Sequence, residues 1–78
     1  MTVENVGEYE IEYLGQALPD GHGWGAYVSI SGPSSNPMHL NNIFPMQHVS
    51  MDIVFESEAA AEAEARKVAL AMLEAQHE

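Results

Sequence analysis

In the segment VSMDIVFESEAAAEAEARKVALAML, residues 49–73, the spacing of apolar residues changes from two to three or four, and the fold prediction depends on this change. At its start every second residue is apolar, so these side chains fall on one face of a strand. The alternating set is Val49, Met51, Ile53 and Phe55. Ser57 can cap the first turn of a helix, and Glu58 adds negative charge at its positive end. The stretch therefore predicts a strand over residues 48–55, followed directly by a helix from Glu58 to about His77.

The predicted helix contains no glycine or proline and consists mainly of strong helix formers. At about 100° per residue, one narrow apolar stripe forms that matches the inner face of a small sheet. The stripe comprises Ala61, Ala65, Val68, Ala69, Met72 and Leu73. Glu62 and Arg66 stand in the order that favours an ion pair across one helical turn. Leu70 faces away from the stripe and, with the outward-facing Leu14 and Val54, favours self-association.

Two strands are predicted upstream. Residues 8–14 alternate strictly, with Tyr9, Ile11 and Tyr13 on one face and Glu8, Glu10 and Glu12 on the other. Gly15 is expected to end this strand, and the proline and glycines of residues 18–23 predict a turn. Residues 24–31 alternate again, with Trp24, Ala26, Val28 and Ile30 on one face. The two strands should form an antiparallel hairpin with a long loop.

The predicted architecture is α+β: a three-stranded, mainly antiparallel sheet with one C-terminal α-helix packed on one face (β-β-β-α). Residues 1–78 form a single domain in which residues 1–7 fray and residues 32–47 make a long loop. Within this loop, the apolar residues 40–46 are expected to form either a lid or a short edge strand. The third strand can pair with either earlier one. The core comprises Tyr9, Ile11, Tyr13, Ala26, Val28, Ile30, Val49, Met51, Ile53, Phe55 and the helical stripe; the opposite face presents Glu8, Glu10, Glu12, Ser29, Ser31, Ser50 and Asp52.

Charge is the most unusual bulk property, since twelve acidic residues stand against two basic ones and give a net charge of −10. Nucleic acids and anionic membranes are recognised mainly through Lys and Arg, so the composition argues against direct binding to either. It favours a protein partner, and a basic one in particular. The absence of cysteine fits a reducing compartment. With no signal peptide or long apolar run, we expect a cytoplasmic protein.

No motif for catalysis, for a cofactor or for a metal is recognisable, so we expect neither an enzyme nor a bound cofactor. The four histidines lack the short spacing of zinc ligands. Asp20 and His22 are the nearest approach to a metal pair and are interpreted as a polar turn. Glu10 and Glu12 share one face, but an acid–base pair requires environments that separate their pKa values. The glycines of residues 21–25 lack the following helix and lysine of a phosphate loop.

A family resemblance rests on two segments. Gly23, Trp24, Tyr27, Val28 and Ile30 form a Gly-Trp-x-x-Tyr-Val-x-Ile pattern, and Phe55-x-Ser57-Glu58 precedes the alanine-rich helix. Residues 8–75 resemble small bacterial domains of strand-strand-strand-helix plan, a resemblance that implies no activity. Residues 23–28 and 57–59 are also similar to antitoxins of the HicB type, which implies neutralisation of a small basic toxin; the Pro-Gly-Cys-like segment of that family is missing.

Three functional hypotheses follow. The first is a small acidic protein-interaction or regulatory module, non-catalytic and self-associating as a homodimer. Its predicted partner-binding residues are Glu8, Glu10, Glu12, Asp52, Trp24, Phe44 and Leu70. The second is an inhibitor that mimics nucleic acid, because three glutamates about 6.7 Å apart along a strand can occupy a site built for phosphates. The third is an enzyme or ligand binder with a cleft between the loop around Phe44 and the sheet.

Overall fold

The computed structural model describes residues 1–33 and 40–76, which form an antiparallel sheet and one C-terminal helix. The elements are β1 (Thr2–Val6), β2 (Tyr9–Ala17), β3 (Trp24–Pro33), β4 (Leu40–Val49) and α1 (Glu58–Gln76). The strands lie in the order β1-β2-β3-β4, and every neighbouring pair is antiparallel. The predicted α+β class is confirmed, whereas the predicted number of strands is wrong because there are four. Residues 34–39, part of the predicted loop, and residues 77–78 lie outside the described residues.

The additional strand is β1, in a segment that the sequence predicted to fray. It is joined to β2 by the two-residue turn Gly7-Glu8, in which Gly7 has a φ of +60°. Such turns favour glycine because its missing Cβ removes the steric penalty for positive φ. The helix side of β1 also finds partners across the molecule: the Thr2 hydroxyl donates to the Glu62 carboxylate, and Glu4 accepts from Arg66. These long-range bonds explain why the segment is ordered.

The hairpin of β2 and β3 forms as predicted, with Ile11 opposite Ile30 and Tyr13 opposite Val28. However, β2 continues past Gly15 to Ala17. Gly15 is buried beneath the first turn of α1, where a Cβ would collide with the Glu58 carbonyl oxygen and lie 2.8 Å from the Ala61 methyl group. The glycine therefore permits close packing of helix on sheet and does not end the strand.

The last strand lies earlier in the sequence than predicted. It occupies Leu40–Val49 and pairs with β3, so residues 40–46 belong to an edge strand, which is one of the two alternatives predicted for them, and not to a lid. Two register irregularities interrupt the pairing, and each adds a residue on the β4 side. Pro45 falls within this bulged part, which suits a residue that cannot donate a ladder hydrogen bond.

After β4 the predicted alternation breaks down. Ser50 has a φ of +50°, and the Ile53 amide donates to the Ser50 carbonyl at 3.0 Å, which closes a turn. Met51 and Ile53 are consequently 73% and 42% exposed, so their assignment to the core is wrong. Phe55 does pack against the core and forms an isolated bridge with Trp24.

The helix begins where the sequence places it. The Ala60 amide donates to the Ser57 hydroxyl at 3.1 Å, which confirms the predicted N-terminal cap. Of the predicted stripe, Ala61, Ala65, Ala69 and Leu73 are buried, while Val68 and Met72 are half-buried. Leu70 is half-buried and packs at the border of the core, so it does not face solvent as predicted. The small alanine side chains allow α1 to lie directly on β2 and β3.

Candidate functional site

In the described part of the chain, one side of the sheet has no covering element: the side that faces away from α1, here called the open face. Strand register places its members opposite one another, and the residues between them point into the core. The open face comprises Val3, Asn5, Glu10, Glu12, Leu14, Tyr27, Ser29, Ser31, Asn42 and His48. Among residues 1–33 and 40–76, no helix or loop packs across it.

One half of the open face is aromatic. The rings of Tyr27 and His48 stack with their centroids 4.6 Å apart and an interplanar angle of 15°. The His48 ring also lies over Gly25, where a Cβ would be 2.7 Å from Nε2. Nε2 is buried and is the one such side-chain atom without a hydrogen-bond partner in the described part of the chain. Leu14 lies opposite Tyr27 on the neighbouring strand and extends this apolar area.

A polar cluster on the open face joins β3 to the edge strand β4. The Ser29 hydroxyl donates to the Phe44 carbonyl at 3.1 Å, and the Asn42 amide donates to the Ser29 hydroxyl at 3.2 Å. Asn42 also lies 3.5 Å from the Ser31 hydroxyl. Ser29 is only 7% exposed, so its hydroxyl needs these bonds. The cluster stabilises the bulged region of β4, where regular ladder bonds are interrupted.

The carboxylates of the open face are Glu10 and Glu12, both on β2 and both half-buried. Glu12 lies opposite Ser29, which makes it a diagonal neighbour of Tyr27. Diagonal neighbours in an antiparallel sheet are about 7–8 Å apart, within reach of long side chains. A carboxylate beside an aromatic ring is an arrangement that suits a guanidinium group, through hydrogen bonds and cation–π contact.

The seven predicted partner-binding residues do not form one surface. Glu10 and Glu12 share the open face, whereas Glu8 lies in the β1–β2 turn and Asp52 in the turn after β4. The other three, Trp24, Phe44 and Leu70, lie on the helix side. Ser50 is likewise absent from the open face, since its hydroxyl donates to Glu64 of α1 at 2.9 Å.

Tyr27 and His48 were not among the site residues predicted from the sequence. The alternation over residues 24–31 could have identified Tyr27, because it places Tyr27 on the face opposite to that of the buried Val28. His48 has no such signal, because its orientation depends on the register of β4. Phe44, which the third hypothesis placed over a cleft, belongs to β4 and packs on the core. Residues 1–33 and 40–76 contain no cavity of a size to hold a small molecule.

A second charged cluster ties β1 to α1. The Arg66 guanidinium donates from Nε to Glu4 Oε1 at 2.9 Å and from a terminal nitrogen to Oε2 at 3.1 Å, while the Tyr13 hydroxyl donates to Oε1 at 2.8 Å. Arg66 thus pairs with Glu4, and the predicted partner Glu62 accepts from Thr2. The hydrogen bonds from Arg66 and Tyr13 lower the pKa of Glu4, and the carboxylate raises the pKa values of Tyr13 and Arg66.

The Asp20–His22 pair forms the polar turn that the sequence predicted. Asp20 Oδ1 accepts from the His22 amide at 3.0 Å, which is typical of an Asx turn. Its other oxygen lies 3.9 Å from His22 Nδ1, and both side chains are largely exposed. Within the ranges that the structure covers, no three acidic, histidine or cysteine side chains converge as metal ligands would.

Over residues 1–33 and 40–76, no helix combines the length and the hydropathy needed to cross a membrane. Comparisons with protein-family models, with curated proteins and with solved structures found no match to this chain.

Proposed function

We propose that this chain is a small, non-catalytic, acidic interaction module whose open face binds a protein partner that presents arginine side chains. The observation that supports the proposal best is that Glu12 lies diagonally opposite Tyr27, whose ring stacks on that of His48, on a face that no described element covers. A guanidinium can make both contacts at once, donating hydrogen bonds to the carboxylate while it stacks on the rings, because it is planar and always charged.

The net charge supports a basic partner. At −10, the chain creates a negative potential that accelerates the approach of cationic partners. Arg66, one of the two basic residues, is already held by Glu4. Binding of this kind weakens with salt, because the charges that guide it are exposed.

The proposal is tested by nuclear magnetic resonance titration with an oligo-arginine peptide as the probe. We expect the amide signals of Glu10, Glu12, Tyr27 and His48 to shift, and an oligo-lysine peptide to bind more weakly because an ammonium group does not stack. Shifts confined to the acidic residues of α1, or equal affinity for the two peptides, would contradict the proposed site.

Matched variants distinguish the contribution of the open face to binding from that of the net charge. Glu10→Gln with Glu12→Gln removes two charges from the open face, and Glu56→Gln with Glu74→Gln removes two from exposed positions elsewhere. We expect only the first pair to abolish oligo-arginine binding. If both pairs weaken binding equally, net charge alone explains the interaction.

The alternative is an inhibitor that binds a basic protein partner, either by mimicking nucleic acid or in the manner that the antitoxin resemblance implies. Its supporting observation is that Glu10 and Glu12 project from one face about 6.7 Å apart. The third glutamate of the predicted row, Glu8, lies in a turn, which leaves a row of two. This alternative requires that the wild-type chain displace a DNA or RNA duplex from a basic nuclease at low salt, and that the Glu10→Gln, Glu12→Gln variant fail to do so.

A further inference from the structure

The two edges of the sheet differ in how they are protected. In the part of the chain that the structure describes, β1 and β4 each pair on one side only. The β4 edge carries Pro45 and two register irregularities, devices that hinder pairing with another chain. The β1 edge has none of these: its register with β2 is continuous from Thr2 to Val6, and it contains no proline and no lysine.

The unpaired groups of β1 follow from its register. Because Val6 and Tyr9 flank a two-residue turn, they form a hydrogen-bonded pair, and such pairs alternate along an antiparallel ladder. The backbone groups of Thr2, Glu4 and Val6 therefore point to β2, whereas the N–H and C=O groups of Val3 and Asn5 point away from the sheet. Both residues are exposed, and Val3 remains 49% accessible.

One flank of α1 follows the same edge. The Glu62 carboxylate accepts a hydrogen bond from Thr2, and Arg66 donates one to Glu4. A step of four residues along α1 therefore matches a step of two residues along β1. This agrees with their rises of about 6.0 Å and 6.8 Å. Leu70, the next residue in the helical series, therefore lies near the level of Val6, and both side chains are only half-buried at the border of the core. This flank of α1 therefore runs beside β1 from Thr2 to Val6.

We propose that β1 pairs antiparallel with β1 of a second copy of this chain, so that the two sheets form one continuous sheet. In the register that we infer, Val3 faces Val3 of the second copy, and Glu4 faces Thr2. This register brings exposed valines together and avoids a pair of opposing glutamates, which would be destabilising. The edge is also where Arg66 neutralises Glu4, so the repulsion between two acidic chains is reduced locally. The pairing uses the outer edge of β1, where Val3 borders the open face, and not the positions of Glu12, Tyr27 and His48.

Solution mass as a function of concentration and salt tests this proposal. We expect the mass to rise from 8.5 kDa toward twice that value with concentration. Added salt should strengthen the dimer, because it screens the repulsion between like-charged copies. Binding of a basic partner to the open face should weaken under the same change, so failure of either proposal is recognised separately. A mass that stays monomeric at all concentrations and salt levels would overturn the dimer.

Two lysine variants locate the interface. Val3→Lys places like charges opposite each other and should weaken dimerisation about tenfold. Gln47→Lys adds the same charge at an exposed position on β4 and should leave dimerisation unchanged. Equal effects of the two variants would overturn the assignment to β1.

Cysteine variants test the register without relying on affinity, since the chain contains no cysteine of its own. Under mild oxidation, Val3→Cys should form a covalent dimer rapidly, because the paired Cα atoms lie within the reach of a disulfide. Asn5→Cys should not, because the two copies of residue 5 would be about 13 Å apart along the strands. Faster cross-linking through residue 5 than through residue 3 would refute the proposed register.

Discussion

Replacement of Gly15 by alanine tests how closely the helix lies on the sheet. The added Cβ would collide with the Glu58 carbonyl oxygen and approach the Ala61 methyl group to 2.8 Å. Overpacking of a core typically costs about 1–3 kcal/mol, and we expect about 3 kcal/mol because the obstacle includes backbone, which cannot rotate away. For a domain of this size, that loss corresponds to a decrease in Tm of about 12–24 °C. The expected loss is a large part of the total stability of a small domain.

The free energy of unfolding is measured by urea denaturation followed by far-ultraviolet circular dichroism, and Tm by thermal unfolding. Gly7→Ala is the matched control, since no atom lies within 4 Å of the added Cβ and only the φ of +60° opposes the substitution. That backbone strain costs about 1–2 kcal/mol. A second substitution, Ala61→Gly, should restore part of the stability of the Gly15→Ala protein by removing one of the two collisions.

Close packing at Gly15 would be refuted if Gly15→Ala lost no more stability than Gly7→Ala. It would also fail if Ala61→Gly destabilised the Gly15→Ala protein by as much as it destabilises the wild type. Either result would show that the first turn of α1 does not rest on β2 at Gly15, and that the buried alanines pack less closely than described.

Three further substitutions test the N-terminal cap of α1, the ion pair between Glu4 of β1 and Arg66, and the open face. Ser57→Ala should lower the free energy of unfolding by about 1 kcal/mol in urea denaturation, whereas Ser57→Asn should preserve it because asparagine also caps well. The hydrogen bond from Arg66 lowers the pKa of Glu4 below its ordinary value of 4.5, so its stabilisation is complete above that pH and is lost as the pH falls through the lower, folded-state pKa. Glu4→Gln should therefore be less stable than wild type near neutral pH and lose less stability on acidification; parallel stability profiles from urea titrations would contradict this. Gly25→Ala should displace the His48 ring, because Nε2 lies 2.7 Å from the new Cβ position. Unchanged His48 ring resonances would show that the space between Gly25 and His48 is wider than the structure indicates.

Several features were predictable because local physics controls them. The strict alternation over residues 8–14 and 24–31 predicted the central hairpin, since side chains on successive strand residues point to opposite faces. Ser57 predicted the start of α1, because the cap satisfies an amide within the same turn. The helical spacing of Ala61, Ala65, Ala69 and Leu73 predicted the buried stripe. Local sequence patterns were therefore enough to predict the α+β class and the face of the helix that packs.

The remaining features depend on residues distant in sequence, so they are set by tertiary contacts. β1 is a strand because Glu4 and Thr2 bond to a helix about sixty residues later, and no local pattern records this. Residues 50–55 alternate like a strand, but the turn at Ser50 interrupts them. Strand β4 lies earlier in the sequence, where it pairs with β3, and bulges accommodate its irregular pattern. The composition of the open face depends on that register, because a shift of one residue moves every side chain to the other face. This is why Tyr27 and His48 meet only in the folded protein.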